Sequence, residues 1–286
     1  MNRLSVRKTY KLYIGGAFPR TESGRALTQS QPDGGFVAHY SQASRKDLRN
    51  AVAAARKAQP SWQARAAFNR GQILYRMAEM MESRRAVFSE RLQNDAGLSA
   101  ADADTAVSRS VDTFVGYAGW ADKFPQVFGA INPVAAPFFN FTTPSPIGVV
   151  VAVPANDLVS ICDAVAATIV SGNTVVLVVE APVALAAIEL AEVFATSDLP
   201  GGVVNVLTGL RDELLPHIGT HRDIDAVLAA DLSAEEQREL EAAAADVVKR
   251  VHVQPAGMSR DGGRLTSPYR ILPFVEFQTA WHPIGR

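Results

Sequence analysis

Residues 148–179 read GVVVAVPANDLVSICDAVAATIVSGNTVVLVV, and this stretch decides the fold. It places a short apolar run on each side of a longer segment whose apolar residues recur at helical spacing. Continuous apolar runs of this length are typical of strands in a parallel sheet that is covered on both faces. The stretch therefore predicts a strand, a helix and a second strand parallel to the first.

The same alternation continues toward the C-terminus. A helix-like segment at 181–195 precedes an apolar run at 201–209, and a strand at 224–228 is followed by a helix at 233–246 and a strand at 249–255. These runs give five strand candidates. They predict an α/β fold, a Rossmann-like parallel sheet with helices on both faces.

The N-terminal third has the spacing of helices. Ser44 is a predicted N-cap for a first helix, and a third helix is expected from about Ala100 to Trp120. Between them, one apolar stripe predicts packing against a core, since methionine commonly fills gaps there. The stripe consists of Leu74, Met77, Met81, Phe88 and Leu92.

Two segments favour extended structure outside the sheet. Residues 124–146 are rich in proline and aromatic residues and predict a hairpin, while FVEFQTAWHP at 274–283 alternates as an arm strand with one buried face would. The predicted division is a helical part at 1–123, the hairpin at 124–146, the sheet domain at 147–259, and a linker with the C-terminal strand at 260–286. A chain ending near Ser267 is expected to keep its fold.

Composition excludes several classes of function. The net charge is -1 without a basic stripe, so no nucleic-acid partner is expected. No apolar run reaches the roughly 18 residues of a membrane span, and no signal-peptide pattern is present, so a cytoplasmic protein without a membrane partner is predicted. Cys162 is the single cysteine, which leaves no disulfide and no multi-cysteine metal site.

Seven segments, in order, resemble the aldehyde dehydrogenase superfamily. They are LYIGGAF, RGQILYRMAEMMESR, YAGWADK, PSPIGVVVAVPAND, SGNTVVLV, LPGGVVNVLTG and HRDIDAVL. The resemblance spans roughly residues 10–259, and the final strand is similar to the one with which family members pair across a subunit interface. It implies a domain for nicotinamide dinucleotide, an oligomerisation arm, and a catalytic domain inserted between them. Only about ten residues lie in that place here, too few for an α/β domain, so the catalytic domain is expected to be absent.

The resemblance also implies which positions would carry catalysis. The family's nucleophilic cysteine has no counterpart, and Cys162 lies in an apolar helix where burial is expected. Gln254 occupies the place of the general base, and a glutamine amide cannot accept a proton near neutral pH. Asn156 matches the amide that stabilises the oxyanion, although it could equally shape the turn after a strand.

The implied cofactor positions are altered as well. Val178 replaces a lysine that reaches the ribose, and Asp231 and Leu232 fall where a glycine turn would receive the pyrophosphate. Ser233 could cap the next helix, and Glu180 could be a substitute ribose-binding acid or a solvated loop residue. We therefore expect no bound cofactor, or only weak binding of NAD.

His217 and His221 lie four residues apart, but Gly219 between them favours a loop over a metal site.

Two functions follow from the sequence. The first is a non-catalytic subunit, similar to the cysteine-less second domain of two-part aldehyde dehydrogenases, which pairs through its C-terminal strand with a full-length NAD-dependent enzyme or with itself. The alternative is an oxidoreductase that retains NAD(P) binding and acts on the aldehyde or oxo group of donors.

Overall fold

The computed structural model describes residues 8–254 and 266–285, in which strands and helices follow one another as given below. The strands are β1 (Ala26–Ser30), β2 (Phe36–Ser41), β3 (Ala130–Asn132), β4 (Phe138–Pro146), β5 (Val149–Val153), β6 (Thr174–Val179), β7 (Val204–Thr208), β8 (Ala226–Ala230), β9 (Arg250–Gln254) and β10 (Val275–Pro283). The helices are α1 (Arg45–Gln63), α2 (Ala67–Ser83), α3 (Arg85–Ala96), α4 (Ala100–Trp120), α5 (Phe124–Phe128), α6 (Leu158–Ile169), α7 (Ala184–Ala195), α8 (Arg211–Thr220) and α9 (Ala234–Ala245). Among these helices, none combines the length and apolar character needed to cross a bilayer.

Five strands form the predicted parallel sheet, in the order β7-β6-β5-β8-β9. All four neighbouring pairs are parallel, as the connecting helices require. The strand predicted at 224–228 is β8, which begins two residues later at Ala226. The Rossmann-like α/β prediction is confirmed.

Helices cover both faces of this sheet and enclose two hydrophobic cores. Val150 and Ala152 belong to the core that α2, α3, α4, α6 and α7 complete, whereas Val149 and Val151 belong to the core completed by α1, α8 and α9. Neighbouring residues of β5 thus point into opposite cores. This two-sided burial explains why the strand is apolar throughout.

The N-terminal helices form as the sequence predicts. The Ser44 hydroxyl accepts a hydrogen bond from the Asp47 backbone N–H, and the Asp47 carboxylate accepts one from the Ser44 backbone N–H, which completes a capping box. The predicted apolar stripe is fully buried. It is divided between α2 and α3, because the chain leaves the helical conformation at Arg84.

A second, antiparallel sheet has the order β10-β4-β3, and we call it the arm. β10 pairs with β4 over nine residues, from Val275 opposite Pro146 to Pro283 opposite Phe138. The hairpin prediction for 124–146 is confirmed for β3 and β4 but wrong for Phe124–Phe128, which form α5. Pro125 lies in the first turn of α5, where a missing N–H breaks no helical hydrogen bond.

The prediction of a buried face on the C-terminal strand is wrong for the single chain. Val275 is buried, but every residue of 276–283 is exposed, whichever face it lies on. Phe277 and Trp281 are 49% and 59% exposed, respectively. A buried face on β10 would therefore have to come from another molecule.

The segment before β10 is part of the core and not a linker. Two short 3₁₀ turns, Pro268–Arg270 and Leu272–Phe274, place Ile271 and Phe274 among fully buried residues. The Asn173 side-chain amide donates to the Phe274 carbonyl at 2.7 Å. Removing this segment would open the core.

Arg270 anchors the same segment through a buried ion pair. Its Nε donates to the Asp163 carboxylate at 2.8 Å, and the Tyr117 hydroxyl donates to the other Asp163 oxygen at 2.9 Å. Asp163 is only 1% exposed. Loss of one partner from such a pair costs about 3–5 kcal/mol, because the other charge stays buried without compensation.

Chains ending at Ser267 and at Val275 should therefore behave differently. The shorter chain loses Arg270, Ile271 and Phe274 and should unfold or melt at a much lower temperature, since each buried apolar side chain alone accounts for about 2–5 kcal/mol. The longer chain keeps these contacts and should melt cooperatively near the temperature of the full chain. Circular dichroism melts of both chains test this expectation, and equal melting temperatures would show that the segment is not part of the core.

Candidate functional site at the carboxyl edge of the sheet

The carboxyl ends of the five parallel strands form one edge of the sheet. Strand order reverses between β5 and β8, and open α/β sheets bind ligands at such a switch point. Asn156 follows β5, Glu180 follows β6, Asp231 follows β8, and Gln254 ends β9. The structure therefore brings most of the positions predicted from the sequence to one edge.

Asn156 lies in the turn between β5 and α6 with its side chain exposed. The next residue, Asp157, caps α6, because its carboxylate accepts hydrogen bonds from the Ser160 backbone N–H and hydroxyl at 2.8 and 2.7 Å. The Asn156 amide is thus not needed for the cap and faces solvent at the switch point. Its role toward an oxyanion stays a prediction.

Cys162 is fully buried in α6, as predicted. Burial raises the pKa of its thiol well above the usual range, and the Ser110 hydroxyl only partly opposes this effect. The thiolate is the reactive form of cysteine, and a buried neutral thiol is inert. Cys162 is therefore a core residue in this fold.

Val178 does not line the edge, because its side chain is 1% exposed and lies in the core beside α1 and α8. Glu180 was expected to be a ribose ligand or a solvated loop residue. Its side chain is instead only 24% exposed and accepts a hydrogen bond from the Arg211 backbone N–H at 2.6 Å. Glu180 thereby supplies the acceptor that the N-cap of α8, Leu210, lacks.

Arg211 is the central charged residue of this edge, and the sequence analysis missed it. Its Nε lies 3.3 Å from the Glu236 carboxylate, 3.7 Å from Asp212 and 4.0 Å from Glu180, while its Nη1 donates to the Asp231 carbonyl at 3.3 Å. One guanidinium therefore faces three carboxylates, which come from the loop after β6 and from the first turns of α8 and α9. The sequence feature that could have identified Arg211 is its position directly after the β7 strand and the Gly209–Leu210 turn.

The turn after β8 adds further negative charge. Asp231 has a φ of 53°, a left-handed conformation that suits glycine best, and its side chain is exposed. Leu232 packs partly against the core below. The predicted cap is confirmed, since Ser233 and Glu236 form a capping box at the start of α9. Hydrogen bonds from Ser233, and then the charge of Arg211, lower the pKa of the Glu236 carboxyl.

These residues do not fit the pyrophosphate of a dinucleotide. A helix N-terminus binds phosphate through free backbone N–H groups and positive potential. At α9, the Glu236 carboxylate and the Ser233 hydroxyl already accept from two of these N–H groups, those of Ser233 and Glu236. At α8, the Glu180 carboxylate accepts from the first helical N–H group, that of Arg211. The nearby carboxylates would repel a second anion.

A cleft of about 270 Å³ lies between α8 and α9, beside the same edge. Leu215, Pro216, Leu240 and Ala243 give it apolar walls, and its rim is acidic. Ligand pockets typically measure about 300–1,000 Å³, so this cleft has room for a single ring system but not for a whole dinucleotide.

Gln254 closes β9 opposite Ala230 and is half-buried. Its amide is aligned with the carboxyl edge but supplies no proton acceptor comparable to a carboxylate. The residues that follow it, up to 265, lie outside the described part of the chain, and they include the remainder of the motif assigned to 254–257.

The predicted loop around His217 is wrong. Arg211–Thr220 form α8, which contains Gly219 and ends with His221 as its C-cap. Burial lowers the pKa of the His221 imidazole. Within residues 8–254 and 266–285, no three histidine, cysteine or acidic side chains are grouped to hold a metal ion.

Comparison with known proteins identifies relatives of this chain. The model of the aldehyde dehydrogenase family matches residues 20–260. Cytosolic 10-formyltetrahydrofolate dehydrogenase of Mus musculus is 31% identical over 269 residues, which make up 91% of this chain and 30% of that protein. The NAD⁺ complex of an aldehyde dehydrogenase from Bacillus cereus has a TM-score of 0.82 at 28% identity and covers 87% of this chain and 51% of its own. PnpE from Pseudomonas sp. WBC-3 gives the same values.

These matches confirm the resemblance predicted from the seven segments. The chain spans about a third of the length of the 10-formyltetrahydrofolate dehydrogenase and about half of the solved dehydrogenases. Only eleven residues separate Gln254 from Thr266. Too few residues are present there for a second α/β domain with its own core.

Replacement of Glu236 by Gln should lower stability at pH 7 by about 0.5–1 kcal/mol, the usual contribution of a helix cap. Because the folded pKa of Glu236 is lowered, its ionised form stabilises the fold above its ordinary pKa, and this contribution is lost as the pH falls through the folded value. Urea titrations of both proteins at several pH values should show the difference vanishing in acid. Glu239→Gln, at an exposed position of α9 outside the capping box, is the matched control.

Removal of negative charge at the edge should favour the cofactor. The double variant Asp231→Gly with Glu236→Gln should bind NAD more tightly than the unchanged chain, above all at low salt, because two nearby carboxylates are lost. Calorimetry gives both affinities. Glu90→Gln with Glu241→Gln, two exposed positions outside the cleft lining, makes the same change in net charge elsewhere and should have less effect. Micromolar or tighter binding by the unchanged chain would show that these carboxylates do not exclude the dinucleotide.

Proposed function

Because this chain belongs to the aldehyde dehydrogenase family, we propose that it is a non-catalytic member that acts in assembly with a full-length NAD-dependent aldehyde dehydrogenase. The observation that supports this proposal is the arrangement of side chains at the carboxyl edge of the sheet. There, Arg211 is engaged by Glu180 and Glu236 in place of a phosphate, and the described residues around it provide no accessible thiol.

Chemistry supports the same conclusion. Oxidation of an aldehyde through a covalent intermediate needs an exposed thiolate and a base that activates water for the second step. Cys162 is buried as a neutral thiol, and Gln254 has an amide in the position assigned to the base. Asn156 alone could polarise a carbonyl, but an oxyanion donor accelerates a reaction only when a nucleophile forms the oxyanion.

The arm supports a role in assembly. β10 lies at an edge of its sheet, and its residues beyond Val275 are exposed. Native proteins rarely leave a long edge strand with large aromatic side chains uncovered. A strand from another subunit would cover it. We place this assembly in the cytoplasm, where a lone reduced cysteine is ordinary.

An oxidoreductase that retains NAD(P) binding, acting on the aldehyde or oxo group of donors, is the second candidate. The cleft between α8 and α9 favours it, because its apolar walls could receive one ring of a nucleotide. The acidic rim, which includes Asp212, Glu236 and Glu239, opposes it. If this candidate function is retained, we expect the chain to bind the nucleoside part of NAD(P) but not its pyrophosphate.

Two measurements on the full chain test the leading proposal. The purified chain should form no NADH or NADPH with small aldehydes, and a tagged chain should bring down a complete aldehyde dehydrogenase expressed in the same cell. A chain ending at Val275, which keeps the core but lacks β10, is the control and should not bring it down. Steady NADH formation that disappears in Cys162→Ala would overturn the non-catalytic assignment, and capture without β10 would overturn the role of the arm.

A further inference from the structure

The cleft between α8 and α9 offers hydrogen-bond acceptors and no free donor among its side chains. Its polar side chains are three carboxylates and one hydroxyl, those of Asp212, Glu236, Glu239 and Thr220. The Thr220 hydroxyl donates to the Pro216 carbonyl at 3.1 Å, so its proton is directed back into α8. None of the eight lining residues carries a positive charge. A ligand of this cleft would therefore have to bring the donors itself.

The Glu239 carboxylate lies at the rim without a compensating charge. It forms no hydrogen bond or ion pair with any residue in the described parts of the chain. Two other acids of α9 do have partners, since Glu236 lies 3.3 Å from Arg211 and Glu241 accepts a hydrogen bond from Gln237 at 2.8 Å. The charge of Glu239 is thus available to a ligand.

Arg211 compensates the other two carboxylates of the cleft only in part. Its Nε lies within 4 Å of both Asp212 and Glu236 but hydrogen-bonds to neither, and the same guanidinium also faces Glu180. One positive charge is therefore shared among three carboxylates. Arg211 is also not part of the cleft lining. The rim of the cleft keeps a net negative charge.

Pro216 adds an uncharged acceptor beside this rim. It lies inside α8, and proline has no backbone N–H. The carbonyl of Asp212, four residues earlier, consequently lacks its usual helical donor. Both residues line the cleft, so this carbonyl is an acceptor close to the carboxylates.

The floor of the cleft is apolar and closed. Leu215 and Leu240 lie there and are only 6% and 2% exposed, respectively. A Cβ atom added at Gly219 would lie 2.8 Å from the Ala243 Cβ, so α8 and α9 approach each other most closely at this point. The remaining volume of about 270 Å³ has room for one ring.

We propose that this cleft binds a small organic cation, an ammonium group joined to a single apolar ring. The ring would pack on Leu215 and Leu240, and the ammonium would lie between the carboxylates of the rim. An ammonium group has three donors and no acceptor, which matches a lining of acceptors. The adenine ring that the second candidate function would place here has several acceptors of its own, and these would face carboxylates without a donor.

Three probes of similar shape test the charge requirement by calorimetry on the full chain. Phenethylamine, phenethyl alcohol and phenylacetate share one ring and end in a positive, a neutral and a negative group at pH 7. The amine should bind with a Kd of about 1 mM or lower, the alcohol about tenfold more weakly, and phenylacetate not measurably. Added salt should weaken binding of the amine alone.

Three results would overturn the proposal. They are equal binding of the amine and the alcohol, no saturable binding of the amine up to about 10 mM, and tighter binding of adenosine than of the amine.

Charge variants test the location of the site. Glu239→Gln should weaken amine binding by about 2- to 5-fold, the usual contribution of one exposed ion pair, and Glu239→Lys should weaken it further. Glu241→Gln makes the same change in net charge on the same helix but outside the lining, and it should leave the affinity unchanged. Equal losses in Glu239→Gln and Glu241→Gln, or full affinity in Glu239→Lys, would place the amine elsewhere and overturn the proposal.

The cation site goes beyond the assembly role proposed above, and none of its lining residues belongs to the arm. The two proposals therefore fail separately. A chain that binds the amine but brings down no dehydrogenase would overturn the assembly role alone. A chain that brings down a dehydrogenase but does not bind the amine would overturn the cation site alone.

Discussion

The buried contact between Arg270 and Asp163 joins two parts of the chain that lie 107 residues apart in sequence. Asp163 belongs to α6, which covers the sheet, whereas Arg270 begins the path from the sheet to β10. A carboxylate this deeply buried is tolerated only with a fixed partner, so the arginine must take this one position. Because Tyr117 of α4 bonds the same carboxylate, three elements are locked together.

The position of the arm depends on this contact between Arg270, Asp163 and Tyr117. Ile271 and Phe274 follow Arg270 into the core, and Val275 then starts β10 at a defined point. A nine-residue pairing with β4 needs this starting point, because a slip by one residue would exchange the two faces of the strand. The match covers only 51% of the solved dehydrogenase from Bacillus cereus, whereas here eleven residues and two 3₁₀ turns lead from the sheet to the arm.

The parallel sheet could be predicted from the pattern of apolar residues, because a strand that is buried on both faces is a continuous apolar run in the sequence. Ser44 and Ser233 were also predictable, since a helix cap is a local interaction. α8 was missed because Gly219 and Pro216 are poor helix formers, and packing against α9 overrides that tendency. The charged edge around Arg211 could not be derived, since Glu180, the Asp231 carbonyl and Glu236 come from separate segments that only the folded sheet brings together. The Arg270–Asp163 pair escaped notice for the same reason.

The exposed side chains of β10 also bear on how long the chain survives in a cell. Phe277 and Trp281 stand in solvent beside an open strand edge, and such edges template aggregation. Glu276 and Pro283 flank them as a charge and a strand breaker, the kinds of residue that restrain uncontrolled stacking. Copies that have not found a partner strand are therefore the ones that chaperones and proteases recognise. The steady-state amount of this protein should therefore depend more on how much partner subunit is available to cover β10 than on how fast the protein itself is synthesised.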